Sequence, residues 1–312
     1  MIAEWAHQYV SWFGLAANVA WVVAFWLFVA FLFSLETLVP AFRQRPNRSN
    51  RWPTNFGFGV ISAGLAAITP VSTVSAAEWA SRMGIGLLNE IEIPLWACIC
   101  TTLVMYSLTV YLFHVMEHKT AWLWRLHRVH HLDTHLDAST SQRHHPLELM
   151  IMVVILAAVT ILFGLTYWVV IIYEALEAGV DLFSHANIRL PQSLDRIVRW
   201  VLVTPNMHSL HHSSHQPETD SNYGTVFTVW DRLFRTYSAE PAWGYEKLEI
   251  GLKEIQDDRV WNFWWQMKSP VLHLKRLSSE AYLSPAPEFD EAPCITTAKQ
   301  FELVRRASQR IS

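Results

Sequence analysis

Four stretches without a single charge narrow what this 312-residue chain can fold into: Leu15–Leu35, Asn55–Ala77, Ile93–Phe113 and Leu149–Tyr173. The shortest holds 21 residues and the longest 25, and about 20 apolar residues in an α-helix cross a hydrocarbon core of about 30 Å. Inside such a layer the backbone must satisfy its own N–H and C=O groups, which for segments of this length means helix. Composition agrees, with 52% hydrophobic residues, 16 Trp and 16 Phe. Charged residues make up only 16%, against roughly 25% in soluble domains. A net charge of −3 points away from nucleic acid. The expected fold is an all-α integral membrane protein with about four transmembrane helices or hairpins.

Between the first two runs lies a compact basic loop carrying Arg43, Arg45, Arg48 and Arg51, which the positive-inside rule assigns to the cytoplasm. The second run contains Gly57, Gly59, Gly64 and Pro70, suited to a kink or to close helix packing. Residues 78–92 read as amphipathic and interfacial. The third run delivers the chain to His114 on the cytoplasmic side. Taken as one crossing, Leu149–Tyr173 would place the histidines that follow across the membrane from those that precede it. About 40 residues separate Pro146 from His185, room for two helices of ~18 residues. A helical hairpin turning near Gly164 and Thr166 returns the chain to the same side. Its second arm carries Glu174, Glu177, Asp181 and His185 at intervals of three or four, on one face. No repeat or low-complexity segment divides the chain. Expected parts are residues 1–92 with the N-terminal helices and basic loop, 93–240 with the chemistry, and 241–312 as a polar cap and tail. The N-terminus lacks the basic residues of a signal peptide, and Cys98, Cys100 and Cys294 form no metal-like or disulfide spacing.

Thirteen of the fifteen histidines fall between positions 114 and 215, leaving only His7 and His273 outside. They form His114-x-x-x-His118, His127-x-x-His130-His131 and His208-x-x-His211-His212, with His135, His144, His145, His185 and His215 nearby. An imidazole in an apolar setting needs a partner for each nitrogen, and protonated neighbours repel. Metal ions remove both problems, because neutral imidazole is a good ligand for iron, zinc or copper. At i, i+3 and i+4 three rings leave one helix on one face. One HxxxH is weak; one HxxxH followed by two HxxHH boxes beside apolar segments is a specific signal. A metal transporter or storage protein is the competing class, but transporter ligands lie near the bilayer midplane on broken helices, whereas these boxes lie outside the apolar runs among Lys and Arg. A zinc hydrolase is disfavoured by the histidine count and the absence of HExxH.

With these boxes in place, the chain resembles the fatty acid hydroxylase/sterol desaturase superfamily of membrane-bound non-haem di-iron enzymes, over roughly residues 95–240. The likeness extends to Arg143-x-His145-Pro-x-Glu148, His185-Ala-Asn187-Ile, Asn222-Tyr-Gly and Trp230-Asp-Arg-Leu-Phe, and residues 1–90 look like the bacterial branch. It implies two iron ions, O2 as co-substrate, and hydroxylation or desaturation of an unactivated C–H bond on a fatty acyl, sterol or related lipid. Carried over by position, His114, His118, His127, His130, His131, His208, His211 and His212 match box ligands. His185 matches a further ligand and His145 the His-Pro step, while His135, His144 and His215 have weaker claims. Carboxylates near such a site offset its charge and orient the rings; Glu117, Asp133, Glu148, Glu174, Glu177 and Asp181 are candidates, and Asn187 joins them through the resemblance. The haem-binding His-Pro-Gly-Gly motif of fused family members is absent. Electrons are therefore expected from a separate cytochrome b5-, ferredoxin- or reductase-type partner. The expected setting is a bacterial inner membrane, with a cytoplasmic helical cap holding the dimetal site.

Overall fold

A computed structural model of the chain describes residues 23–42, 48–69 and 71–272. Over these residues the protein is helical, with isolated β-bridges but no strands. His7, Arg43, Arg45, His273, Cys294 and the expected tail lie outside them, as does the start of the first charge-free run. The rest of that run forms α1 (Val23–Leu38).

The second run departs from a single span. Helix α2 (Arg48–Ile68) begins inside the expected basic loop, so Arg48 and Arg51 are helical residues rather than loop residues. A fresh start at α3 (Thr73–Met83) follows, fixed by Ser72, whose side chain accepts from the Ser75 amide while Ser75 reaches back to the Ser72 amide. The short α4 (Leu87–Glu90) leads to α5 (Leu95–Lys119), which starts behind Pro94 and runs to the first histidines. Helix α6 (Ala121–His131) carries the second box.

The longest run is two helices. Helix α7 (Pro146–Phe163) opens with Pro at its first position and ends at Gly164, whose φ of 65° is left-handed. Three residues on, α8 (Tyr167–His185) sets off and ends on its histidine. Gly86 fits against this turn so closely that a Cβ there would sit 2.3 Å from the Gly164 nitrogen. Beyond lie short helices: α9 (Gln192–Val198), α10 (Pro205–His211), α11 (Gln216–Thr219), α12 (Val229–Phe234) and α13 (Phe263–Lys268). Three segments are long and apolar enough to cross a membrane, Arg48–Glu90, Leu95–Lys119 and Pro146–Phe163, with α1 as a shorter fourth candidate.

The main apolar core joins α3, α5, α7 and α8 through Ala77, Tyr106, Val110, Leu156, Val170 and Tyr173. At the histidine end it gives way to a buried polar layer. Arg51 is fully buried and donates to Asp133 Oδ1 (2.7 Å), Asp133 Oδ2 (2.8 Å) and Asp137 Oδ2 (2.8 Å). Asn55 donates to Asp133 as well. Arg143, also buried, donates to the carbonyls of Val129 and Val260 and to Asn55 Oδ1. Burial works against the Asp133 carboxylate, but Arg51 and Arg143 outweigh it and hold its pKa well below the usual range. This network ties α2 to the loop that follows the second histidine box.

Candidate metal centre

The helical register brings nine of the ten expected ligands into two adjoining sets. His114, His118, His127, His131 and His211 form one; His130, His185, His208 and His212 form the other. Within each set, one ring nitrogen per residue lies within 4.8 Å of all the others, and every ring is buried. Consecutive residues of the boxes serve different sets. On α6, His127 and His131 are one turn apart and point to the first set, while His130 between them points to the second. His211 and His212, at the end of α10, divide the same way. The two sets touch, with His131 stacked on His212 at 4.5 Å and His208 on His211 at 5.3 Å between ring centroids.

The back nitrogens fix which way the rings present their lone pairs. His114 Nδ1 donates to the Tyr223 carbonyl (2.7 Å), and His211 Nδ1 to the Ser221 carbonyl (2.8 Å). His127 Nδ1 faces Glu148 Oε1 at 3.0 Å with Glu117 Oε2 at 3.5 Å. In the second set, His185 Nδ1 donates to the Asp181 carbonyl (2.8 Å), and the Asp181 carboxylate lies 3.2 Å away. With a proton on Nδ1, each of these rings turns an unprotonated Nε2 inward.

Those inward nitrogens crowd together. His127 Nε2 lies 3.2 Å from His114 Nε2 and 3.1 Å from His131 Nε2, and His185 Nε2 lies 3.0 Å from both His130 Nε2 and His208 Nε2. His114 and His127 both carry the proton on Nδ1, so two lone pairs face each other between them, and His118 Nε2 and His211 Nε2 have no hydrogen-bond partner at all. A cation relieves both conditions, so the donor set fits a metal in each cluster. Protonation is the other escape, and it is blocked. Burial above all, then the neighbouring imidazoles, lowers the pKa values of His130, His131, His208 and His212 well below the ordinary 6.5. That of His211 falls to about 3, again chiefly through burial.

Several expected residues stand elsewhere. His145 does not join the clusters: its Nδ1 accepts the Leu147 amide and caps α7, and its Nε2 meets the Met267 carbonyl. Asn187 is engaged in holding the segment after α1, bonding to both the amide and the carbonyl of Phe42. Asp133 is consumed by Arg51. Glu174 accepts from Tyr106 and Thr73, and Glu177 from Thr225. His144 bonds to Glu148 (2.8 Å) and stacks on His130 (4.2 Å), bordering both sets. His135 and His215 are not in either set. Sequence reasoning missed Trp124, which packs on His118 and His131 at 5.0 and 5.3 Å. It also missed Asp220, 3.4 Å from His118 Nδ1. The position of Trp124, six residues after His118 and three before His127, was the available signal.

A helix of membrane-crossing length, α5, runs into the first of two adjoining buried imidazole clusters. Residues 99–236 match the fatty acid hydroxylase family model. An ornithine lipid hydroxylase of Rhizobium tropici is 29% identical over 140 residues, 45% of this chain and 41% of that protein. A cholesterol 25-hydroxylase-like protein of Danio rerio is 27% identical over 139 residues (44% and 54%). An alkylglycerol monooxygenase of Xenopus tropicalis is 26% identical over 241 residues (68% and 49%). The chain thus spans about half the length of these relatives or less. No solved structure matches it significantly.

Proposed function

We propose that this chain is a membrane-bound, O2-dependent oxidoreductase that hydroxylates an unactivated C–H bond of a lipid at a non-haem centre of two iron ions. One observation carries the reading: nine buried imidazoles converge as two adjoining sets whose inward nitrogens face one another or, at His118 and His211, have no partner. In the proposal His114, His118, His127, His131 and His211 hold one ion, and His130, His185, His208 and His212 the other. Iron supplies the redox capacity that C–H oxidation needs and that zinc lacks. The chain's own groups orient the ligands: Tyr223, Ser221 and Asp181 carbonyls, and the Glu117 and Glu148 carboxylates, hold the rings from behind. Trp124 covers the first set, and α5, α7 and α8 form the apolar wall along which a lipid chain reaches it.

Hydroxylation rather than desaturation is favoured by the relatives, which are named as hydroxylases and monooxygenases. Transport is disfavoured because the clusters lie at the ends of α5 and α8 and not midway along them. Electrons come from a separate redox protein, and the clusters face the cytoplasm of a bacterial inner membrane, a side favoured by Arg43, Arg45 and Arg48 between the first two apolar runs. The test is lipid analysis of cells with and without the chain under isotopically labelled O2. A lipid that gains one labelled oxygen only when the chain is present is the expected result. Loss of two hydrogens without oxygen would assign desaturation, and no change in any lipid would refute the proposal.

A further inference from the structure

We propose that α9 and α12 form an apron at the boundary between headgroups and acyl chains in the leaflet next to the histidine clusters, held there by anionic lipid. Counted from Leu95, about 20 residues of helix cross the hydrocarbon layer and reach His114. Ser107 and Tyr111 then lie about 10 and 5 Å inside its boundary. Helix α12 sits beside α5 at this depth: Trp230 Nε1 donates to Ser107 Oγ (3.1 Å), and Phe234 stacks on Tyr111 (5.5 Å, 15°). Helix α9 moves with α12, because Arg232 donates to the Arg199 carbonyl (3.0 Å) and lies over Trp200 (4.7 Å).

The outer face of this unit is apolar. Ile197 is 70% exposed, Trp200 69% and Leu233 63%, far more than a water-facing cap of short helices would tolerate in one patch. The acidic side chains on α9 and α12 are both engaged. Asp195 pairs with Arg199 and Asp231 caps the Tyr223 and Gly224 amides, both buried. Arg196 and Arg235 are exposed and free of a carboxylate partner in the ion pairs described. Apolar residues continuous with a membrane helix, with exposed Arg196 and Arg235 beside them, fit a leaflet carrying negative headgroups rather than a second protein. The inference concerns depth alone and stands or falls apart from the chemistry proposed above.

The test uses the full chain in nanodiscs containing phosphatidylglycerol, with Cys98, Cys100 and Cys294 replaced by Ser. Nitroxide labels go on Ile197→Cys and Leu233→Cys. Val104→Cys on the lipid-facing side of α5 and Glu246→Cys, whose side chain is 92% exposed, are the references. Labels at 197 and 233 should be accessible to O2 and shielded from a soluble nickel chelate, at a depth of about 5–10 Å. Exchanging phosphatidylglycerol for phosphatidylcholine should move them toward water. Chelate contact equal to that at position 246 would overturn the proposal. Dipolar broadening between labelled copies would overturn it too, by assigning the face to a second copy of the chain.

Discussion

At the scale of single residues, a histidine counts by where its two nitrogens go. His211 has Nδ1 on a carbonyl and an unpartnered Nε2 facing the first set; His145 has both nitrogens spent on the backbone. Replacing His211 with Ala should lower bound metal and abolish turnover. His145→Ala should leave metal content intact and cost about 1 kcal/mol of stability through the lost cap. Metal analysis beside thermal unfolding separates the two, and metal loss in His145→Ala would contradict the assignment. The same chemistry sets a pH dependence. His130, His131, His208, His211 and His212 have folded pKa values below the unfolded 6.5, so the unfolded chain binds more protons once the pH falls through 6.5. Their stabilising contribution is complete above that value and is lost below it, each group giving up to about 1.4 kcal/mol per pH unit. Metal-free protein should therefore unfold progressively more easily from pH 7 to pH 5. A flat profile would show the rings to be less buried than described. The box spacings in the sequence were enough to find eight of the nine rings, and the ninth, His185, came from the family resemblance. The division of neighbours between sets was not legible, because it depends on where each helix ends.

Among elements, the hairpin of α7 and α8 decides whether His185 can reach His130. Its turn was legible from Gly164 and from the need to bring two histidine groups together. The break between α2 and α3 was less so: the charge-free run crosses it unbroken, and Pro70, read as a kink, Ser72 and Ser75 are its marks. Entirely hidden was the partner of the turn, since Gly86 and Gly164 are 78 positions apart. Gly86 has φ +97° and no room for a Cβ. Gly86→Ala should cost about 1–3 kcal/mol, from backbone strain and forced separation, and lower the unfolding temperature in detergent. An unchanged midpoint would mean that the turn does not seat there.

For the whole molecule, a buried ion-pair layer joins the membrane-type helices to the histidine-bearing ones. Arg51 had been read as a cytoplasmic loop charge and Asp133 as a neighbour of the metal; the structure turns both into one buried link. Sequence pattern cannot show this, because an arginine beside a charge-free run looks the same whether it faces water or a carboxylate. Arg51→Met should leave Asp133 and Asp137 without their shared partner and destabilise by about 3–5 kcal/mol, seen as loss of folded protein after extraction. Retention of wild-type stability would place Arg51 at the surface.

If the two imidazole sets hold two ions, counting bound metal shows it most directly. Protein purified anaerobically and reconstituted with ferrous iron should bind about two ions per chain. His208→Ala, which removes one ligand from the second set alone, should lower that number toward one while the first set stays filled. A reproducible single ion per wild-type chain would contradict the two-site arrangement, and so would a His208→Ala variant that still binds two.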